Sequence, residues 1–354
     1  MTGQHMLARL REHMLGPTRF MTLVCCFELG LVDALRRNTR MTAGQLGAEV
    51  GAAPDAVEQL LHLLVKEDFV AYDDASASYR LSGLRTVPDA DLHRVLAIMN
   101  MIKTVVLRQS FYLADSVRTG TAVGLEKFYG YEGNLYGALA EHEDLRESWG
   151  TMMDAVTAHI DPWFFANVDI PADARVLDLA GNTGLGAILT YRLTGSPDLR
   201  VTTFDLPEKE PECLRNFEDH GVDEHCSFMG GDVFTEVPRG FDVVLIKHFL
   251  DMYDREDVLA ILDNTFDALA AGGQVHILGP VYSENVKDSH AVDFFPAYFL
   301  GCTMGQGGPQ KLSTYRTWLE ERGFTVTKAI TQETATMPAD AIVAHGILSA
   351  TKQH

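Results

Sequence analysis

The feature that most restricts the fold is an alternation of strand-like and helix-like runs that starts at Arg175 and continues to the end of the chain. RVLDLA, LRVTTFDL, CSFMGGDV, FDVVLIKHF and QVHILGPVY are short apolar runs of the length and composition of buried strands. TGLGAILTYRLTG, PECLRNFEDHG and REDVLAILDNTFDALAAGG carry apolar residues at helical spacing between them. Strands separated by helices join through crossovers, which predicts a mostly parallel sheet covered on both faces. A later helix, LSTYRTWLEERGF, precedes two adjacent extended runs, TVTKAIT and AIVAHGILSAT, and these predict a terminal antiparallel hairpin. The expected class is therefore α/β, a Rossmann-like doubly wound sheet with a C-terminal hairpin.

The part before this region reads differently. Between residues 20 and 83, RFMTLVCCFELGLVDAL and APDAVEQLLHLL have helical periodicity, Thr42 precedes AGQLGAEVG, and FVAYDD and YRLS flank a polar turn. A helix, a helix-turn-helix and a hairpin make a winged helix, a module often used to bind DNA. Here the segment that would enter the major groove offers one Lys and no Arg, and the chain carries a formal charge of −20. A field of that sign repels a phosphate backbone, so nucleic acid is excluded as a partner. A dimer-forming role is expected instead, with Phe20, Leu23, Phe27 and Leu31 as its apolar face. Residues 90–165 are helical. The expected boundaries are 1–88 for the winged helix, 89–167 for a helical connector that contributes to the substrate pocket, and 168–354 for the catalytic domain. No apolar run approaches the roughly 20 residues that span a bilayer, so no membrane partner is expected. The five cysteines form no CxxC pair, which points to free thiols in a reducing cytoplasm.

The first strand of the second region ends in Asp178-Leu-Ala-Gly181-Asn182-Thr-Gly184. Glycines at a strand-to-helix turn let backbone approach a ligand closely. The second strand ends in Asp205-Leu206-Pro207, 21 residues after Gly184, where an acid can hold the hydroxyls of a nucleoside ribose. The turn lacks the full GxGxxG fingerprint, which disfavours a nicotinamide cofactor.

With VLDLAGNTG, TFDLP, GGDVFTEVPRGFDVVLIKHFLDMYDREDVLAIL, LAAGGQVHILGPV and GGPQKLSTYRTWLEERGF in this order, the chain resembles the bacterial and plant small-molecule O-methyltransferases that carry an N-terminal winged-helix dimerisation domain. The resemblance implies a homodimer, S-adenosylmethionine as cofactor and a small-molecule substrate. It implies that the turn with Asp178, Gly181, Asn182 and Gly184 holds the methionine part of the cofactor. Asp205, with Leu206 beside it, binds the ribose, Asp232 and Val233 flank the adenine, and Lys247 contacts the cofactor. Ala180 stands where the family usually has glycine.

The chain departs from the family after the fourth strand. There the family has a His-Asp-Trp run whose His deprotonates the substrate, and this chain has Asp251-Met252-Tyr253. An ordinary Asp, with a pKa near 3.9, is a weak base towards a phenol. His248 lies three residues before Asp251, and His290 follows the neighbouring fifth strand. Two His and one carboxylate can form a facial set for a divalent or trivalent metal, Zn or Fe, with open positions for substrate oxygens. A 2-oxo acid chelated there would be acidified at its β-carbon. This is similar to the metal-dependent 2-oxo acid C-methyltransferases of nonribosomal-peptide pathways. His248, Asp251 and His290 are thus the expected catalytic and metal-binding residues, and Phe294, Phe295, Tyr298 and Phe299 an apolar pocket wall. His276, mid-strand, is expected in the core. Two alternatives remain open: a metal-independent small-molecule O-methyltransferase, and a non-catalytic winged-helix regulator that binds S-adenosylmethionine.

Overall fold

The computed structural model describes residues 3–332, 337 and 339–353. The chain forms two compact units, Met1–Lys103 and Thr104–His354. The first holds α1 (Gly3–Glu28), α2 (Leu31–Arg37), β1 (Met41–Thr42), α3 (Ala43–Val50), α4 (Pro54–Lys66), β2 (Val70–Asp73), β3 (Ser78–Leu81) and α5 (Asp89–Met101). The three strands pair in the order β1-β3-β2, all antiparallel, and complete a winged helix. Thr42 starts α3 because its hydroxyl accepts from Gln45 N (3.2 Å) while the Gln45 side chain accepts from Thr42 N (2.8 Å), a reciprocal capping box. Leu31, Leu46, Val57, Leu61 and Leu64 are fully buried in this unit's core, and Leu23 and Phe27 pack against it. Leu31 therefore serves the unit's own core rather than an outward face, a correction to the expectation from sequence, while Phe20, Leu23 and Phe27 stay partly exposed. The outward large apolar residues of α1 are Met6, Leu7, Leu10, Met14 and Met21.

The second unit opens with α6 (Arg108–Ser110), α7 (Leu113–Thr119), α8 (Val123–Tyr129), α9 (Leu135–Glu141) and α10 (Glu143–Phe165). Then follow β4 (Arg175–Leu179), α11 (Leu185–Thr194), β5 (Arg200–Asp205), α12 (Glu210–Asp219), β6 (Cys226–Gly230), β7 (Val243–Lys247), α13 (Arg255–Ala268), β8 (Gln274–Val281), α14 (Phe295–Cys302), α15 (Leu312–Glu321), β9 (Phe324–Thr331) and β10 (Ala344–Lys352). The sheet order is β6-β5-β4-β7-β8-β10-β9. The first five strands are parallel, and β10 inserts antiparallel between β8 and β9. The doubly wound sheet and the terminal hairpin read from the sequence are both present. Among the described residues no helix is long and apolar enough to cross a membrane.

The strands are apolar throughout because each side of the sheet is covered. Leu177, Leu179, Val244, Ile246, Val275 and Leu348 point into one core, shared with α13 and α15. Val176, Val243, Leu245, Leu278 and Ile347, at the alternate positions, point into the other, shared with α10, α11 and α12. His276 lies in the core with both ring nitrogens engaged, Nδ1 with Ser349 Oγ at 2.8 Å and Nε2 with Gln274 Oε1 at 3.1 Å. With both faces dry, the charged residues of β4, β5 and β7 lie at or next to the strand ends, and Asp178, Asp205 and Lys247 are those at the carboxyl edge, where β5 and β7 flank β4 on opposite sides. That is the crevice in which open α/β sheets bind ligands. Leu177 is fully buried on the central strand, so Leu177→Ala is expected to lower unfolding free energy by about 2–5 kcal/mol. Urea denaturation checks this, and a loss under about 1 kcal/mol would contradict close packing at that layer.

Candidate active site

At the carboxyl edge Asp178 is the penultimate residue of β4, while β5 ends in Asp205 and β7 in Lys247. The turn after β4 folds back over them. Ala180 takes a left-handed conformation (φ 56), so the turn keeps there a backbone shape that glycine adopts more readily, and Asn182 does the same (φ 49). Gly181 is required by proximity: a Cβ there would lie 2.6 Å from Asp178 Oδ2 and 2.8 Å from Thr203 Cγ2. Gly184 stands as the N-cap of α11. The turn is tied to the second strand because Asn182 N donates to Asp205 Oδ2 (2.8 Å), while Leu206 N donates to Asp205 Oδ1 (2.7 Å). Leu206 is exposed beside it. After β6, Asp232 is exposed and accepts from Phe234 N at 2.9 Å, whereas Val233 is buried in the core.

Beneath the turn lies a charge cluster that the sequence motifs show only in part. The Lys247 ammonium sits 2.7 Å from Asp161 Oδ2 and 3.9 Å from Asp178 Oδ1, with its side chain 6% exposed and that of Asp161 fully buried. Burial pushes the Asp178 carboxyl up to about 6, against the opposing pull of Lys247. Burial raises Asp161 too, again opposed by Lys247. Asp205 is raised by burial, and the N–H bonds from Asn182 and Leu206 oppose that rise. Burial works to lower the Lys247 pKa, but Asp161 and Asp178 outweigh it and hold the amine charged. Asp178 Oδ2 and Asp161 Oδ1 are buried without a hydrogen-bond partner. Two acceptors left open beneath a tight glycine turn fit a cationic ligand that brings its own donors.

Asp251 occupies a single 3-10 turn, Leu250–Met252. The turn is clamped by the glycine pair of GGPQK: Gly308 N donates to Asp251 O at 2.7 Å, and Gly307, at φ +78, would bring a Cβ within 2.5 Å of the same oxygen. Burial pushes the Asp251 carboxyl up to about 6. A small cavity beside it is lined by Leu250, Gly279, Val281, Tyr315 and Gly346 among others, with Gly279 and Gly346 opposite one another across β8 and β10. Tyr136 and Tyr298 also lie near, because the Asp251 charge adds to the burial that raises both phenols. Tyr298 Oη accepts from Trp149 Nε1 at 3.2 Å. Phe294 stacks on Tyr298 with centroids 5.7 Å apart, and Phe295, Tyr298 and Phe299 are buried. Tyr136 was not singled out from sequence, since a Tyr on a helical face carries no signal of what it meets.

The expected metal set is not assembled. Among the described residues no group of three His, Cys, Asp or Glu side chains is placed to hold a metal ion. His290 begins a 3-10 turn in which Ser289 and Ala291 take the buried places, so its own side chain faces solvent. His248 adopts φ 50, and its ring meets His345 edge-on at 5.1 Å instead of a carboxylate. Its Nε2 is buried and unpartnered. Burial, then His345 and Lys247, hold this imidazole well below its ordinary pKa. His248, Asp251 and His290 therefore do not fit a metal, and Asp251 stands apart from them as a half-buried carboxyl.

Comparison with known proteins gives the same order of parts. Residues 11–84 match the O-methyltransferase dimerisation domain and residues 111–325 the O-methyltransferase domain. The 3-amino-4-hydroxybenzoate 4-O-methyltransferase of Streptomyces cremeus is 30% identical over 328 residues, covering 89% of this chain and 84% of that protein. The L-tyrosine C(3)-methyltransferase of Streptomyces lavendulae is 23% identical over 311 residues, covering 87% and 84%. The structure of human N-acetylserotonin methyltransferase in complex with SAM has a TM-score of 0.80 at 19% identity and covers 100% of this chain and 99% of that one.

The clamp on Asp251 is directly testable. Gly307→Ala forces a Cβ against the carbonyl that holds the turn, so the carboxyl should lose its buried setting. Carbon NMR of labelled protein should place the Asp251 midpoint near 6 in the wild type and closer to the ordinary carboxylate value in the variant. An unchanged midpoint would show that the glycine pair does not control this side chain.

Proposed function

The chain belongs to the O-methyltransferase family and is an S-adenosylmethionine-dependent methyltransferase, and from that premise we propose that it methylates the hydroxyl of a small aromatic natural product, with Asp251 as the base. The observation that carries the reading is the half-buried carboxyl of Asp251, beside the cavity of Leu250, Gly279 and Tyr315 and pushed up to about 6 at the position where the family has its His. An ordinary Asp lies about six pKa units below a phenol, roughly 8 kcal/mol. Burial recovers about 3 kcal/mol of this gap, which makes Asp251 a usable base near neutral pH.

In this reading Asp205 accepts from the ribose hydroxyls of the cofactor, with Leu206 beside them. The Asp178, Gly181, Asn182 and Gly184 turn receives its amino-acid end over the carboxylates of Asp178 and Asp161. Asp232 and Val233 flank the adenine, and Lys247 holds the charge balance beneath the turn. The bound cofactor supplies a methyl group on a positively charged sulfur. Asp251 takes the proton from the acceptor hydroxyl, and Phe294, Phe295, Tyr298 and Phe299 wall the acceptor with apolar surface. The relative from Streptomyces cremeus is named for a hydroxyl of an aromatic acid, which supports an acceptor of this class. Methylation of an aromatic carbon is the second reading, since a deprotonated phenol is nucleophilic at oxygen and at its ortho carbon and one relative is named a C(3)-methyltransferase. Metal-assisted C-methylation of a 2-oxo acid gains no support from His248, Asp251 and His290, and no step is assigned to a metal.

Asp251→Asn should lower kcat at least a hundredfold and leave S-adenosylmethionine affinity within twofold, whereas Asp205→Ala should cost about 1.5–3 kcal/mol of that affinity. The base acts when deprotonated, so wild-type kcat/KM should rise as pH increases through about 6 and stay high above it. Carbon NMR of the product separates a methyl ether from a ring methyl. An Asp251→Asn enzyme with near wild-type turnover would remove Asp251 from the mechanism.

The winged-helix unit carries the family's dimerisation domain, and we assign the homodimer contact to α1. Leu7, Leu10, Met14 and Met21 are all exposed at spacings of three, four and seven, the seam pattern of paired helices. Sedimentation at micromolar concentration should show a dimer, and Leu10→Glu combined with Met14→Glu should give a monomer. A wild-type monomer would overturn the assignment.

A further inference from the structure

Asp161 belongs to none of the motifs that mark the cofactor crevice. It lies in α10, 17 residues before Asp178 and directly before Pro162. A fully buried carboxylate is costly unless its charge and its lone pairs are satisfied. Asp161 is satisfied in half: Oδ2 takes the Lys247 ammonium at 2.7 Å, and Oδ1 has no partner. A complete structural ion pair would leave no such atom. The same lysine is 3.9 Å from Asp178, beyond hydrogen-bond distance, and Asp178 Oδ2 is also unpartnered. One ammonium thus serves two carboxylates, so the cluster beneath the turn carries one excess negative charge. Glycines of the turn and of the start of α11 lie directly against it. At Gly181 and Gly186 an added Cβ would lie 2.6 and 2.5 Å from Asp178 Oδ2, and at Gly186 2.9 Å from Lys247 Nζ.

We infer that Asp161 is a positioning residue of the cofactor site: by holding the Lys247 ammonium to itself, it keeps the Asp178 carboxylate unneutralised as the anionic seat for the α-ammonium of S-adenosylmethionine. The inference rests on the cofactor reading given above. Without the Asp161 charge, Lys247 has one carboxylate within reach. It closes on Asp178, and the cluster becomes neutral under the part of the turn that receives the ligand's amino-acid end. The adenosine end, held from β5 and β6, is unaffected.

Calorimetry on the full-length protein separates these ends. S-Adenosylhomocysteine carries the α-ammonium, and 5′-methylthioadenosine has the same nucleoside without it. Asp161→Asn should weaken S-adenosylhomocysteine at least tenfold, as expected for a lost charged contact, and leave 5′-methylthioadenosine within twofold. The smaller Asp161→Ser should do the same, and it serves where the amide variant does not fold. The groups facing Asp178 are Lys247 from β7, Asp161 from α10 and Asp205 from β5, with the thiols of Cys213 and Cys226, both pushed up to about 12 by burial and neutral. Wild-type affinity for S-adenosylhomocysteine should therefore fall as pH drops through about 6, where Asp178 takes a proton. In Asp161→Asn, with the ammonium closer and a like charge gone, that limb should move at least one unit lower. Equal loss of both ligands, or no loss of either, overturns the inference. A wild-type protein that binds neither ligand overturns the cofactor reading itself.

Discussion

A sheet buried on both faces confines charge to its two ends, and the site at the carboxyl end follows from that constraint. Leu177, Leu179, Val244 and Ile246 face one core while Val176, Val243 and Leu245 face the other. Asp205 and Lys247 end β5 and β7, and Asp178 stands one residue before the end of β4. They meet because Asp178, level with Thr203 and Leu245, lies two positions below the ends of β5 and β7, and the glycine turn after β4 folds back over it. Helix α10 packs on the same side and adds Asp161, which completes a cluster of two carboxylates around one ammonium.

The same dryness sets the chemistry of Asp251. Nothing in an isolated DMY run raises a carboxyl above its ordinary range. Burial under the Gly307–Gly308 clamp, near Tyr136 and Tyr298, pushes it to about 6. The residue lost from the family pattern is thus replaced by a weaker base made stronger by its surroundings. His248, Asp251 and His290 are close in sequence or topology without converging in space. A turn of two or three residues decides which side chain faces inward, and at residues 289–291 Ser289 and Ala291 take the inward places and leave His290 outside.

By itself the sequence determined the winged helix, the doubly wound sheet with its terminal hairpin, and the crevice turn with Asp178, Gly181 and Asp205, because periodicity, capping and glycine placement are local properties. The buried place of His276 was legible for the same reason, from its position within an apolar strand. The tertiary structure alone decided the pairing of Asp161 with Lys247 across 86 residues, the meeting of His248 with His345, the outward turn of His290 and the raised carboxyl of Asp251. Each depends on which distant side chains exclude water from a group, and desolvation and charge pairing act through space, where sequence spacing carries no record of them.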